Sequence, residues 1–258
     1  MQPHERVTAA LATAVDAGRT ALVPFVTAGY PDPQAFAATL TGISRVGDVV
    51  EIGVPFSDPM ADGLTIQRSS HAAIEKGVSL RWIFDELDRV RGDVDAPLVL
   101  MSYMNPLLAF GYPELAARAA RCGVGAFIVP DLPLEESDEL RQALAAEGLG
   151  LIHLVTPATP PARLRRLADA SRGFLYAVTV TGVTGGADGL PDDLAAYLDT
   201  VSAASPLPVC AGFGIRSARD VGSVGDHAAG AIVGSALVEV LERGDDPAAF
   251  LESLRQAP

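Results

Sequence analysis

The sequence predicts a single (β/α)8 TIM barrel across residues 1–258, with one extra N-terminal helix, and three observations carry that prediction. Short runs rich in Val, Ile, Leu and Phe alternate with longer helical patterns from end to end, the mark of repeated βα units around a parallel sheet. About eight such units fill a length of 258 residues, as a closed barrel requires, and the GxGxxG turn of a dinucleotide-binding open sheet is missing after the first strand. No composition shift, linker or low-complexity tract marks a second domain.

In chain order, MQPHERVTAALATAVDAG reads as an Ala-rich amphipathic helix without the basic start and apolar stretch of a secretory signal. Strands are then expected at ALVPFVTA from Ala21, VVEIGV from Val49, PLVLMSY from Pro97 and AFIVP from Ala126. GLIHLVT from Gly150, FLYAVT from Phe174, PVCAGFG from Pro208 and AGAIVGS from Ala229 complete the set. Between them lie helical stretches such as LRWIFDELDRV, YPELAARAA, LEESDELRQALAAEG and PDDLAAYLDTVSAA, several opening at Ser, Asp or Pro and closing near Gly.

With 49% hydrophobic and 20% charged residues the chain has the composition of a folded protein, not a disordered one. No apolar run reaches the roughly 18 residues of a membrane span, so the expected setting is the cytoplasm, with no membrane partner. A net charge of −13 argues against nucleic acid, whose phosphates are bound through surplus Lys and Arg. Cys122 and Cys210 stand far apart and read as small buried hydrophobes.

Functional groups of a barrel sit at the C-terminal ends of its strands and in the loops that follow. In VVEIGV, Glu51 interrupts an apolar strand, and alternation puts it on the face shared by Val49 and Gly53, which points it into the barrel. Desolvation there raises a carboxyl pKa toward the range useful for proton transfer, although a structural Glu satisfied by neighbouring hydroxyls fits the strand equally well. The following loop, PFSDPMADGLTIQ, holds Asp58 and Asp62. Asp62 is placed to hold a substrate N–H facing the same cavity, and the plain alternative for both acids is capping of the next helix.

Glycine-bearing turns follow the last three strands: TGVTGG around Gly185, GFG around Gly214, and GS at Gly234 and Ser235. Main-chain N–H groups in such turns, with a helix N-terminus, bind an anion without Lys or Arg, and a phosphorylated small molecule is the favoured ligand over simple turn-making. The one lysine, Lys76, ends a predicted helix, which leaves no Schiff-base lysine at the active face. Of His4, His71, His153 and His227 only His153 falls on a strand, and it reads as a core residue, so no metal is assigned. GxSxG is absent. The reading that remains is acid/base chemistry on a phosphorylated substrate with no cofactor.

VVEIGVPFSDPMADGLTIQ, LMSYMNPLLAFG, PDLPLEES, FLYAVTVTGVTGG, GFGI and AIVGSAL, in this order and spacing, resemble the tryptophan synthase α subunit family over nearly the whole chain. The resemblance implies retro-aldol cleavage of indole-3-glycerol phosphate to indole and glyceraldehyde 3-phosphate, and a partner β subunit in an α2β2 assembly that receives the indole. It implies that Glu51 protonates indole C3 and accepts the glyceryl hydroxyl proton, and that Asp62 binds the indole N–H. Tyr176 matches an active-site tyrosine and Thr184 the loop residue that meets the Asp on closure. Phosphate contacts fall on Gly185, Gly214, Gly234 and Ser235, an indole wall on Phe25, Met101, Ile128 and Phe213, and partner contacts on Asp58, Pro59, Asn105 and Pro133. Two positions depart from the family pattern: Leu64 stands where ADGPTIQ is usual, and Val180 where some relatives have Arg. Alternatives within this reading are a standalone lyase, a non-catalytic barrel that activates a β subunit, and another phosphate-binding barrel such as a sugar-phosphate isomerase.

Overall fold

Strands that are apolar on both faces need cover on both, and a ring of parallel strands inside a ring of helices supplies it. The computed structural model describes residues 1–179, 193–212 and 214–255. Among the described residues nine parallel strand segments form the sheet: β1 (Ala21–Thr27), β2 (Val50–Gly53), β3 (Leu98–Met101), β4 (Val124–Ile128), β5 (Gly150–Ile152), β6 (Leu154–Val155), β7 (Leu175–Val178), β8 (Val209–Gly212) and β9 (Gly230–Val233). Their order, β5-β4-β3-β2-β1-β9-β8-β7-β6, closes into a barrel because β5 and β6 are two halves of one run. The break falls at His153, whose N–H is taken by Ser171 Oγ at 3.0 Å while its carbonyl accepts from Tyr176 N at 3.1 Å. β5 pairs with β4 and β6 with β7, so the predicted fifth strand is the seam of the barrel.

The helices are α1 (Pro3–Asp16), α2 (Phe36–Ser44), α3 (Leu64–Glu75), α4 (Leu80–Val90), α5 (Met104–Phe110), α6 (Tyr112–Arg121), α7 (Asp138–Ala146), α8 (Pro161–Ala170), α9 (Leu194–Ala204), α10 (Ala218–Gly225), α11 (Ser235–Arg243) and α12 (Pro247–Leu254). Inward positions of the strands, among them Val23, Val49, Val99, Ala126, Phe174 and Cys210, form the barrel interior. The alternate positions, such as Leu22, Val50, Ile52, Leu100 and Phe127, pack under the helices. Helix α1 plugs the N-terminal end: Val7, Leu11 and Ala14 join the interior cluster. Burying Val7 and Leu11 there contributes about 1.5–3 kcal/mol each. Strand β4 starts two residues before the expected Ala126, because Gly125 belongs to it. A Cβ on Gly125 would sit 2.6 Å from Val7 Cγ2 and 2.8 Å from the Pro3 carbonyl, so this glycine admits the plug instead of breaking the strand.

On the rim, Arg68 of α3 forks around Glu242 of α11, with Nη2 2.7 and 2.8 Å from the two carboxylate oxygens. The Tyr30 hydroxyl donates to the same carboxylate at 2.8 Å.

Candidate active site

Glu51 faces inward as alternation requires, in register with Phe25 on β1 and Val99 on β3. Its side chain is 1% exposed, and Oε2 is fully buried with no hydrogen-bond partner among the described residues. The neighbouring hydroxyl or amide that a structural Glu would need is therefore absent from that oxygen. Burial, reinforced by the charge of Asp62, pushes its pKa up to about 8. Protonation is the low-cost state of such a group at neutral pH.

Asp62 sits in the loop after β2 and is 8% exposed. Burial raises its pKa to about 6, against a hydrogen bond from Tyr103 that pulls it down. The loop is fixed from within and from outside. Asp62 N donates to the Pro59 carbonyl at 3.1 Å, and Gln67 Nε2 donates to the Asp62 carbonyl at 2.8 Å. Tyr103, just past β3, accepts from Ala61 N at 2.8 Å and donates to Asp62 Oδ2 at 3.0 Å, its ring stacked on Phe56 at 5.1 Å. Helix α3 begins after Gly63 with no side-chain cap, so neither Asp58 nor Asp62 serves as its cap; Asp58 instead accepts from Ser57 Oγ. Leu64 occupies the first position of α3, where Pro would be well accommodated, and is 77% exposed.

A cavity opens at the C-terminal ends of the strands, lined by Glu51, Asp62, Phe25, Met101 and Tyr176, with Gly214, Gly234 and Ser235 at one end. Ile66, Ile215, Arg216, Ile232 and Ala236 line it as well. The sequence reading is thus collected into one cavity at these positions and extended by Ile66 and Ile232 on its apolar wall. Glycines hold the space open. A Cβ on Gly53 would lie 2.5 Å from Phe25 Cζ, and one on Gly212 would lie 2.1 Å from Tyr176 Oη, so each ring lies over a glycine of the adjacent strand. Burial pushes the Tyr176 hydroxyl well above its usual range, and it stays protonated.

At the other end, Gly214 has φ +83° and Gly234 precedes α11 with no side-chain cap, which leaves the first amides of that helix facing the cavity end. Ile128 does not reach the lining: it is fully buried in the barrel interior, one strand beyond Met101. Thr184, Gly185, Val180 and Phe213 lie outside the described residues. Of the positions expected at a partner surface, Asp58, Asn105 and Pro133 are exposed. Pro59 is buried, and the exposed apolar side chain beside it is Met60, at 81%. His153 is buried between the barrel and its helices; burial, with Arg141 and Arg163 nearby, lowers its pKa to about 4, which keeps the imidazole neutral.

Comparison with known proteins places this architecture among relatives. A family model described as "Tryptophan synthase alpha chain" matches residues 11–257. The tryptophan synthase alpha chain of Nitratidesulfovibrio vulgaris strain DP4 is 43% identical over 238 residues, 92% of this chain and 93% of that one. That of Geobacter sp. strain M21 is 45% identical over 239 residues, 92% of this chain and 90% of its own length. Among solved structures, Mycobacterium tuberculosis tryptophan synthase superposes with a TM-score of 0.88 at 33% identity, covering 98% of this chain and 99% of that chain. The alpha subunit from Legionella pneumophila strain Paris gives 0.88 at 31% identity, covering 99% and 98%.

Proposed function

The chain belongs to the tryptophan synthase alpha chain family, and from that premise we propose how its own residues carry the reaction. It is a carbon–carbon lyase of tryptophan biosynthesis that cleaves indole-3-glycerol phosphate. The observation that carries the proposal is a buried carboxyl whose Oε2 has no hydrogen-bond partner among the described residues, raised to about 8, in one cavity with a second carboxyl raised to about 6.

Between those two values Glu51 holds a proton and Asp62 is ionised. Glu51 donates its proton to indole C3, and the ring nitrogen takes up the positive charge. Asp62 accepts the N–H hydrogen bond and stabilises that cation. The ring is now an electron sink. Glu51, as carboxylate, removes the proton of the hydroxyl on the adjacent glyceryl carbon; the C=O bond of the aldehyde forms, and the pair of the breaking C–C bond returns to the ring. Indole leaves with the donated hydrogen on C3, glyceraldehyde 3-phosphate carries the new carbonyl, and Glu51 is protonated again. Phe25, Met101, Ile66 and Ile232 form the apolar wall against the indole, while the Gly214 turn and the start of α11 take the phosphate.

Tyr103 positions Asp62 and favours its charged form. Tyr103→Phe is expected to move the acid limb of the pH–rate profile to higher pH, because the bond that lowers the Asp62 pKa is gone. Activity falls about three- to tenfold near pH 6 and recovers above pH 7, as loss of one charge-assisted hydrogen bond allows. An unshifted acid limb removes Tyr103 from this role.

The partner in this reading is a tryptophan synthase β subunit in an α2β2 assembly, and the setting is the cytoplasm. Asp58, Asn105 and Pro133 are supported as contacts by their exposure, together with Met60, Leu64 and Leu108, which are 81%, 77% and 52% exposed. Indole release by the purified chain, measured with and without β subunit, tests the whole. Release that rises at least about tenfold with the partner is expected for coupled sites; no release in its presence overturns the proposal.

A further inference from the structure

Main-chain amides alone were expected at the anionic end of the cavity, yet a cation stands there. Arg216 lines the cavity beside Gly214, Gly234 and Ser235. Its main-chain N–H donates to Asp220 Oδ2 at 2.9 Å, inside the box that caps α10, so its backbone is anchored. Its guanidinium pairs with Glu239, four residues after Ser235 on α11, and the Arg216 side chain is 46% exposed. One helical turn spans about 5.4 Å, which keeps the guanidinium within about a turn of the α11 amides.

The carboxylate holds this arginine weakly. A solvent-exposed ion pair is close to break-even against water, whereas a phosphate offers more negative charge and a fork of acceptor oxygens that a planar guanidinium fits. Side-chain rotation on an anchored backbone suffices for the exchange, since Arg216 already lines the cavity. Resting on the reading that the substrate's phosphate occupies this end, we propose that Arg216 is a specificity-determining residue that leaves Glu239 to engage that phosphate when substrate binds. Glu239 then acts as its resting counter-ion and competitor.

The test is indole-release kinetics of the full chain and three variants, each first shown to be folded by circular dichroism, with indole-3-glycerol phosphate and the unphosphorylated indole-3-glycerol as substrates. Arg216→Ala is expected to raise KM for the phosphorylated substrate about tenfold with kcat within about twofold, the pattern of lost ground-state binding. Arg216→Lys restores most of the loss as a point charge. Glu239→Gln lowers KM about two- to threefold by removing the competitor, and the KM of the unaltered chain rises with salt more steeply than that of Arg216→Ala. An unchanged KM in Arg216→Ala, or a loss carried by kcat alone, overturns the role of Arg216 while the phosphate site stands. Equal kcat/KM of the unaltered chain for both substrates removes the phosphate site from this end and the arginine's role with it.

Discussion

Glu51→Gln is expected to abolish indole release, lowering kcat by at least about 10³-fold, while the chain stays folded. The substitution keeps the shape of the side chain but removes the group that both gives and takes the proton, and positioned acid/base groups supply about 10²–10⁴-fold each. The fold has little to lose. Glu51 Oε2 makes no hydrogen bond among the described residues, and the cost of its site is that of burying a carboxylate. Because its folded pKa, about 8, lies above the ordinary 4.5, the folded state holds a proton that the unfolded chain has released across that interval. Its contribution to stability is complete below pH 4.5 and is lost as the pH rises through about 8. Gln does not titrate, so the variant should melt at or above the temperature of the unaltered chain, with the gap widening toward pH 9. Thermal unfolding at pH 6 and pH 9 beside an indole assay measures both effects; near-normal turnover takes Glu51 out of the mechanism.

Asp62→Asn is expected to lower kcat/KM about 10²-fold and to change the shape of its pH dependence. With Glu51 protonated below about 8 and Asp62 ionised above about 6, the unaltered chain should show a bell between those values, belonging to the pair as a whole. Asn removes the acid limb, because nothing remains to ionise near pH 6. The alkaline limb moves to lower pH, because the Asp62 charge is one of the two causes that raise Glu51. The rate loss itself reflects the missing anion opposite the positive ring nitrogen, where a buried, preorganised carboxylate acts on developing charge. A bell with both limbs in place would show that the carboxyl at this position is not the one titrating.

The strands were legible because burial on both faces writes itself as continuous apolar runs, and Glu51 stood out as the polar interruption of one of them. Period-two alternation was enough to aim it inward. Helices of weaker local signal were not read: α5 is seven residues long with Pro106 in its first turn, and α10 contains Gly222 and Gly225 and depends on the Ser217–Asp220 box at its start. Tyr103 escaped for a different reason, since its bond to Asp62 joins residues 41 positions apart and leaves no local pattern. Ile66 and Ile232 look like ordinary core until the cavity that they border is seen. Pro59 carries the opposite lesson, as loop membership does not ensure exposure and this residue is buried.

The fork of Arg68 on Glu242 is partly exposed, at 55% and 22%, and such a pair contributes at most about 1 kcal/mol to stability. What it does is topological: the loop bearing Asp62 runs directly into α3 and the turn bearing Ser235 opens α11, so the fork ties together the two helices whose starts border the same cavity.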